Sequence, residues 1–377
     1  MKSKQNIPGS TRRKAEGIGS LARQAYYLMG RKGLHGASLL IGAVIRLQRA
    51  NRRRKHFAAK HNLVIPTVLV VSVTMVCNYD CLGCYSRGRS DSGELSKEEL
   101  SSLFNEAQNM GLLAAVLTGG EPLMRKDLLD IVKKQQQILF VLITNGSLMT
   151  PEKAAAIGRM KNLVVLVSIE GNCDFTDRRR GDGAHQAVLE AMAMLKEAGA
   201  FFGFAATNNS QNSSYLGSDD FIDSMIAQGC SVGLITEYVP CGQAPHTEWV
   251  LTTMQREQFR QRILEMRSEK PIVLVQFPQD EYGEANICSG AGRVSLHINS
   301  QGGIEPCPFV PLSCDNIRQG GLMAAVESPF LASIRSRPNL LARDRLACSL
   351  YEHFSEVEAL LGQNNAAEAA TIKCRKR

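Results

Sequence analysis

Apolar residues recur along the chain in two patterns, and these patterns predict the fold. Short runs rich in Val, Ile and Leu predict buried strands, whereas longer stretches with apolar positions three or four residues apart predict amphipathic helices. From residue 66 onward the two patterns alternate. The six predicted strands are residues 68–76, 114–117, 139–143, 163–169, 201–207 and 231–238.

A predicted helix follows each of these strands. Ser96 and Glu99 form a capping-box pattern that opens the first helix, which runs to about Met110. Six strand–helix units indicate parallel strands with crossover helices. They are too few for a closed eight-stranded barrel, so we predict an α/β fold, a partial (βα)6 TIM-like barrel with its binding residues at the C-terminal strand ends. The later helices are predicted at 126–134, from 151, 184–198, 221–228 and 255–267.

The pattern changes on both sides of the predicted barrel. Residues 1–62 predict a basic segment of two amphipathic helices, with one apolar stripe at 21–29 and a second at 40–47. After the barrel, which we assign to 63–270, two short strands at 294–298 and 304–306 predict a hairpin. The remaining assignments are a small C-terminal extension at 271–365, with short helices near 322–327 and 351–361, and a tail at 366–377.

Composition and charge narrow the class of protein. With 377 residues, 44% apolar and 21% charged, the chain can form a sizeable core. No apolar run approaches the roughly 20 residues that cross a bilayer, and residues 1–13 lack the apolar region of a secretory signal. The net charge of +8 divides into +14 on residues 1–60 and −6 on the rest. We therefore predict a cytoplasmic protein whose eleven cysteines serve as metal ligands or catalysts rather than as disulfides.

Three cysteines follow the first predicted strand at close spacing. Cys77, Cys81 and Cys84 form the pattern C-x3-C-x2-C. Three thiolates on one loop can bind three irons of an iron–sulfur cube and leave the fourth iron open. A structural zinc site requires a fourth protein ligand nearby, and the next Cys or His after Cys84 is Cys173.

This cysteine pattern resembles that of the radical S-adenosylmethionine (SAM) enzymes. Tyr85 supplies the aromatic residue after the third cysteine, and residues 118–122 (TGGEP) after the second strand are similar to the family's GGEP motif. The resemblance extends from about 68 to 238. It implies a [4Fe–4S] cluster that receives an electron from a low-potential donor of the flavodoxin or ferredoxin type. The cluster cleaves SAM to methionine and a 5′-deoxyadenosyl radical, which abstracts hydrogen from an unactivated carbon.

The resemblance also implies which residues contact SAM. Gly119 and Gly120 would let the ligand approach the backbone, with Glu121 fixing the geometry around the methionyl ammonium. Glu170 stands where relatives more often carry Asp, and it implies a ribose contact. The complete set implied for SAM is Tyr85, Gly119, Gly120, Glu121, Pro122, Thr144, Asn145, Ser168, Glu170 and Arg180.

A second group of cysteines lies in the C-terminal third. Cys288 and Cys307 form C-x13-G-x4-C around Gly302, which resembles the first half of the SPASM or shorter twitch extension. The dense cysteine run of a full SPASM domain is absent from the sequence, so the resemblance implies one auxiliary [4Fe–4S] cluster. Its predicted ligands are Cys288, Cys307, Cys314 and Cys348, with structural thiols or a zinc site as the alternative.

The other cysteines and the histidines have no ligand spacing. Cys173, Cys230, Cys241 and Cys374 are interpreted as ordinary thiols, although Cys241 follows the sixth strand and a substrate-side role is a minor alternative. His185 and His297 are assigned core or surface roles.

Three substrate classes compete. The basic residues 1–60 favour a lipid or membrane-associated substrate, with the enzyme peripheral at the inner membrane face, because basic amphipathic helices bind anionic lipid. Alternatively these helices pack on the barrel and close its open side.

A peptide or protein side chain, as in cross-link formation, is the second class. Nucleic acid is disfavoured because the segment offers only Tyr26, Tyr27 and Phe57 for stacking. A non-enzymatic Fe–S electron-transfer protein would have no use for an open iron and a GGEP motif.

Overall fold

One mostly parallel sheet forms the centre of the molecule. The computed structural model describes residues 41–282 and 286–362. Within these residues the strands are β1 (Val68–Thr74), β2 (Ala114–Gly119), β3 (Leu139–Thr144), β4 (Leu163–Ser168), β5 (Phe202–Asn208), β6 (Val232–Glu237), β7 (Val273–Phe277), β8 (Ser295–Ile298) and β9 (Ile304–Glu305). Their order is β7-β6-β5-β4-β3-β2-β1-β8-β9, and only the β8–β9 pair is antiparallel. The sheet is the open α/β partial barrel that the sequence predicts.

Helices connect the strands and bury their apolar faces against the sheet. In α2, for example, Phe104 lies edge-on to Phe140 of β3, with 5.1 Å between ring centroids. The helices are α1 (41–61), α2 (Lys97–Met110), α3 (Leu128–Lys134), α4 (Pro151–Gly158), α5 (Cys173–Arg180), α6 (Ala184–Glu197), α7 (Ser213–Leu216), α8 (Asp219–Gln228), α9 (Thr253–Glu269), α10 (Gln279–Tyr282), α11 (Ile317–Glu327), α12 (Pro329–Arg335), α13 (Pro338–Leu341), α14 (Ser349–Glu352) and α15 (354–362). Short 3₁₀ turns lie at Pro122–Met124 and Thr247–Trp249.

The six predicted strands correspond to β1–β6 with ends that differ by at most two residues. The strand β7 was not predicted; it extends the sheet beyond β6 through parallel pairing that starts at Val232 and Val273. The apolar run at 273–275 is a signal for this strand, but it lies unassigned between the helix predicted to end at 267 and the hairpin. The domain boundaries, including the one at 270, stay predictions.

The predicted hairpin is present as β8 and β9, and it joins the main sheet. β8 pairs in parallel with β1, from Val68 opposite Ser295 to Val71 opposite Ile298. A buried hydrogen bond of 2.8 Å between Ser72 Oγ and His297 Nε2 adds a side-chain contact across the same pair. The C-terminal region is therefore connected to the barrel along the strand that leads into the first cysteine motif.

Helix α1 packs on the loops that precede the strands. Ala50 is buried, Arg46 donates to the carbonyl of Gln136 at 3.0 Å, and Arg54 donates to the carbonyl of Ile65 at 3.2 Å. This part of the basic segment thus lies against the barrel, at the end opposite the C-terminal strand ends. The predicted stripe at 21–29 and the tail at 366–377 lie outside the described residues. In the described part of the chain, no helix combines the length and the apolar character needed to cross a membrane.

Candidate active site

The first cysteine motif occupies a loop that is fixed at both ends. At its start, Glu94 Oε1 accepts hydrogen bonds from Thr74 Oγ1 (3.0 Å) and the Met75 amide (2.6 Å). Towards its end, the Leu82 amide donates to the carbonyl of Arg179 in α5 at 2.8 Å. The loop thus holds its three thiols beside a cavity, which all three line.

A cavity of about 590 Å³ lies at the C-terminal ends of the strands. Eleven of the thirteen residues predicted for the SAM cluster and for SAM line it, namely Cys77, Cys81, Cys84, Tyr85, Gly119, Gly120, Glu121, Thr144, Asn145, Ser168 and Arg180. Pro122 and Glu170 are not among the lining residues. Pro122 instead begins a 3₁₀ turn, and the chemistry of Glu170 is described below. The structure therefore brings residues from five separate segments together at one site.

The two glycines of the GGEP motif allow two strand ends to come close together. A Cβ on Gly119 would lie 2.0 Å from the carbonyl oxygen of Thr74, and one on Gly120 would lie 2.3 Å from that of Val76. The Gly120 amide donates to Thr74 (2.8 Å) and the Glu121 amide to Val76 (2.9 Å). The resemblance to the radical SAM enzymes implies that a ligand requires this space. In the described residues this space is occupied by the backbone of Thr74 and Val76, which leads into the cysteine loop. A contact between the two glycines and a ligand in the cavity stays a prediction.

Glu121 joins the ends of β2 and β3. Its carboxylate is 1% exposed and accepts hydrogen bonds from the Leu123 amide (2.9 Å), Thr144 Oγ1 (2.7 Å) and the Asn145 amide (2.7 Å). Burial raises the pKa of Glu121, and these hydrogen bonds act against the rise. Asn145 in turn donates to Asn78 Oδ1 at 2.9 Å, which links β3 to the cysteine loop.

Glu170 lies beneath two arginines of α5. Its Oε1 accepts from Arg179 (2.5 Å) and twice from Arg180 (2.8 and 2.5 Å), and its Oε2 accepts from the Thr207 amide (2.9 Å). Burial alone would raise the pKa of Glu170, but the guanidinium groups of Arg179 and Arg180 outweigh it and lower the pKa. The ribose contact of Glu170 stays a prediction; what the structure shows is a carboxylate that positions two cavity-lining cations. Arg179 was missed as a site residue, although it stands in the motif beside Arg180.

These arginines also change the electrostatics of the thiols. Burial raises the pKa of both Cys77 and Cys81, but for Cys81 the charges of Arg180 and Arg179 act against that rise. Positive charge close to a thiol favours its thiolate form, which is the form that binds iron. Three thiols on one loop, open to a cavity and close to fixed cations, therefore fit a [4Fe–4S] cluster with one open iron.

Tyr85 connects this loop to the C-terminal region. Its hydroxyl is hydrogen-bonded to Thr118 Oγ1 at 2.9 Å, and burial raises the pKa of Tyr85 to about 12. Its ring meets Phe309 edge-on, with 5.5 Å between centroids. Phe309 and Cys307 line the same cavity, so the C-terminal region forms one of its walls. Neither Phe309 nor its neighbour Phe277 at the end of β7, 6.1 Å away, carried a signal in the sequence.

Three cysteines predicted for the auxiliary cluster interact with one another, namely Cys288, Cys307 and Cys348. Cys307 donates a hydrogen bond to Cys348, which lowers the pKa of Cys348, and amides of α14 favour the same thiolate. Burial and then the charge of Cys348 raise the pKa of Cys288 to about 12. Cys314 donates to Asp315 Oδ2 at 3.5 Å. Residues 41–282 and 286–362 contain no three His, Cys, Asp or Glu side chains placed to hold a single metal ion, but each thiolate of a cube binds a different iron.

Comparisons with known proteins identify the class. The profile of the radical SAM superfamily matches residues 71–205. The AdoMet-dependent heme synthase of Methanosarcina barkeri is 26% identical over 292 residues, which cover 67% of this chain and 80% of the relative. The mycofactocin maturase MftC of Mycolicibacterium smegmatis is 29% identical over 267 residues, 66% of each protein. The Fe-coproporphyrin III synthase of Methanosarcina barkeri is 33% identical over 150 residues, which cover only 38% of each protein.

Solved structures show the same fold at low identity. SuiB of Streptococcus suis bound to S-adenosylmethionine superposes with a TM-score of 0.63 at 18% identity, over 76% of this chain and 71% of SuiB. The protein anSMEcpe with bound AdoMet gives 0.59 at 15% identity, over 83% of this chain and all of that protein. This chain belongs to the radical SAM superfamily and is a radical SAM enzyme. The family predicted from the two motifs is confirmed.

Proposed function

We propose that this enzyme modifies a side chain of a peptide or protein by radical chemistry. The observation that carries the proposal is the cavity of about 590 Å³ shared by the first cysteine loop and the C-terminal region. Because β7 and β9 are the outermost strands of a sheet that stays open, a segment of a polymer could enter the barrel from the side. Relatives and structural neighbours support this class: MftC is a maturase, SuiB is known bound to the precursor peptide SuiA, and anSMEcpe bound to a peptide.

In the proposed mechanism the chain positions groups around its cofactors. Cys77, Cys81 and Cys84 would hold the [4Fe–4S] cluster, which when bound supplies the electron that cleaves SAM to methionine and the 5′-deoxyadenosyl radical. Glu121 fixes the backbone of the β3 end at the cavity, and Glu170 holds its two arginines there. The aromatic side chains that line the cavity, those of Tyr85, Phe277 and Phe309, would keep water from the reacting carbon. A low-potential flavodoxin or ferredoxin would supply the electron.

We also propose one auxiliary [4Fe–4S] cluster in the C-terminal region. Cys288, Cys307 and Cys348 would be three of its ligands, since their thiols interact and lie partly or fully buried. The sequence pattern predicts Cys314 as the fourth. Cys307 also lines the shared cavity, which would bring this cluster close to the substrate.

The enzyme reaction has a direct test. The full chain, reconstituted anaerobically and reduced with dithionite, should convert SAM to 5′-deoxyadenosine, and Cys81→Ala should abolish this conversion. A short peptide encoded beside the gene should speed the conversion and should change mass or become cross-linked, as read by mass spectrometry. No 5′-deoxyadenosine at full iron loading would contradict the reaction. Acceleration by an iron porphyrin rather than by the peptide would contradict the substrate and favour the activity named for the heme synthase relative.

A lipid or membrane-associated substrate is the second candidate. Ile41, Val44 and Ile45 are exposed on α1, a helix whose described residues include seven Lys or Arg and no Asp or Glu. This surface could place the enzyme at the inner face of a membrane. Flotation of the full chain with anionic vesicles, compared with a chain that lacks residues 1–60, tests the idea. Equal flotation of the two proteins would remove its support.

A further inference from the structure

The cavity extends beyond the cysteine loop into the interior of the barrel. Val68 and Val70 of β1 line it together with Val116 of β2 and Leu234 of β6. Because alternate residues of a strand point to the same face, these apolar side chains form an inner wall. Val68 and Thr74 are the first and last residues of β1, which has seven residues, and such a strand places them about 20 Å apart. The cavity therefore has an apolar interior that leads from the cysteine loop towards the start of β1.

Glu281 of α10 lines the cavity near the start of β1. Its neighbour there is Ser295 of β8, which also lines the cavity and pairs with Val68. Ser295 Oγ donates to Glu281 Oε1 at the long distance of 3.5 Å. Burial raises the pKa of Glu281, and hydrogen bonds from Ser295 and Ser289, rather than a cation, act against the rise. The carboxylate is thus half-buried at the end of an apolar space with two weak neutral partners.

The other charged side chains that line the cavity are compensated or fully hydrated. The ion pairs of this lining are Arg87 with Asp80, Arg89 with Glu305, Arg179 and Arg180 with Glu170, and Glu237 with Arg256. Glu121 accepts its three hydrogen bonds, and Asp91 is exposed to water. Among the charged cavity-lining groups of the described residues, Glu281 therefore combines burial with the lack of a charged partner.

We propose that Glu281 binds the positively charged end of a Lys or Arg side chain of the substrate, with the apolar stem of that side chain along the inner wall. This inference rests on the proposed function, because it takes a peptide or protein as the substrate. Burying a carboxylate without a partner is costly, and an ammonium or guanidinium group offsets the cost through a charge-assisted hydrogen bond. The same carboxylate repels an acidic side chain, so the site selects against anions.

The test measures the binding of blocked amino acids to the full chain, reconstituted anaerobically in the presence of SAM. The probes are the Nα-acetyl amides of lysine, arginine, norleucine and glutamate, and saturation-transfer NMR titrations give each Kd. Norleucine has the aliphatic stem of lysine without its ammonium group. In wild type a cationic probe should bind about tenfold more tightly than the norleucine probe, and the glutamate probe should bind most weakly. In Glu281→Gln the preference for the cationic probes should be lost.

Asp91→Asn is the matched control, because it removes an exposed carboxylate from the lining of the same cavity. It should keep the preference of wild type. Glu281→Asp retains the charge and should retain a preference for the cationic probes, while the far-UV circular dichroism spectra of all variants should match that of wild type. These two results separate the charge of Glu281 from the fold.

The outcomes distinguish this site from the proposed function. A preference that survives in Glu281→Gln, that Asp91→Asn removes to the same extent, or that wild type does not show would overturn the proposal. Tighter binding of one cationic probe than of the other would support it and identify the side chain. A wild type that prefers the cationic probes but modifies no peptide would contradict the proposed function and leave the site at Glu281 standing.

Discussion

Replacing Glu170 by Gln should destabilise the fold strongly, because it removes a buried charge without changing the side chain's shape. The carboxylate is 1% exposed, and the side chains of Arg179 and Arg180 are only 11% and 12% exposed. Water therefore screens these ion pairs poorly. Removing one partner of a buried pair costs about 3–5 kcal/mol, since the remaining charge stays buried without compensation. We expect the free energy of unfolding of Glu170→Gln to fall by about 3 kcal/mol at pH 7.

The pH dependence of this loss follows from the direction of the pKa shift. Burial works to raise the pKa of Glu170, but Arg179 and Arg180 lower it below the ordinary value of 4.5. A carboxyl with a lowered folded-state pKa stabilises the fold fully above its unfolded pKa and loses that contribution as the pH falls through its folded pKa. The difference between wild type and Glu170→Gln should therefore be constant near neutral pH and should shrink below about pH 4.5.

Urea denaturation of the full chain, followed by far-UV circular dichroism under anaerobic reducing conditions, measures this difference. Glu265→Gln is the matched control, because Glu265 pairs with Arg262 at the surface, where water screens the pair, and no measurable loss is expected. A Glu170→Gln loss below about 1 kcal/mol, or one that grows on acidification, would refute the reasoning. SAM cleavage should fall in the same variant, since α5 holds Leu82 of the cysteine loop.

Three further changes test other parts of the site. Burial lowers the pKa of His297 below 6.5, so the free energy of unfolding of wild type should fall as the pH drops below 6.5. In urea titrations the free energy of unfolding of His297→Gln should depend less on pH. The same pH dependence in both proteins would contradict this role of His297. Gly120→Ala should displace the cysteine loop and reduce iron loading and SAM cleavage, whereas Gly42→Ala, whose Cβ meets nothing within 4 Å, should leave both unchanged. Tyr85→Phe should lower the free energy of unfolding, measured with urea, by about 1–2 kcal/mol, because Thr118 loses its hydrogen-bond partner. An unchanged free energy of unfolding would contradict a stabilising role of this hydrogen bond.

Local patterns sufficed for the barrel strands β1–β6 because every residue in them is buried or half-buried. A parallel strand that is covered on both faces has a nearly continuous apolar sequence, which a search for hydrophobic patterns detects. β7 lies at the sheet edge with Val275 exposed, and its apolar run is short, at 273–275. The parallel pairing of β8 with β1 joins residues more than 220 positions apart, and only the folded sheet determines it. The sequence therefore predicts the barrel and the hairpin but not their junction.

The same distinction applies to the site. The first cysteine motif is predictable because its three ligands lie within eight residues of one another, so their proximity is a property of one loop. Glu170 illustrates the opposite case. Its residue type fits a sugar contact as well as it fits an ion pair, and the partner depends on how α5 packs. The sequence indicates that a carboxylate is needed at this strand end, and the structure shows that Arg179 and Arg180 bind it.

A polar chain of contacts links the two cysteine-bearing regions into one site. Arg89, five residues after Cys84, donates to Glu305 Oε2 (3.0 Å) and to the carbonyl of Pro308 next to Cys307 (2.5 Å). Glu305 is in turn hydrogen-bonded to His297 at 2.7 Å. Because these groups are largely buried, moving one region relative to the other would leave charges unpaired at a cost of several kcal/mol. The geometry of each cysteine group thus depends on the other, because Arg89 and Glu305 hold the two regions together.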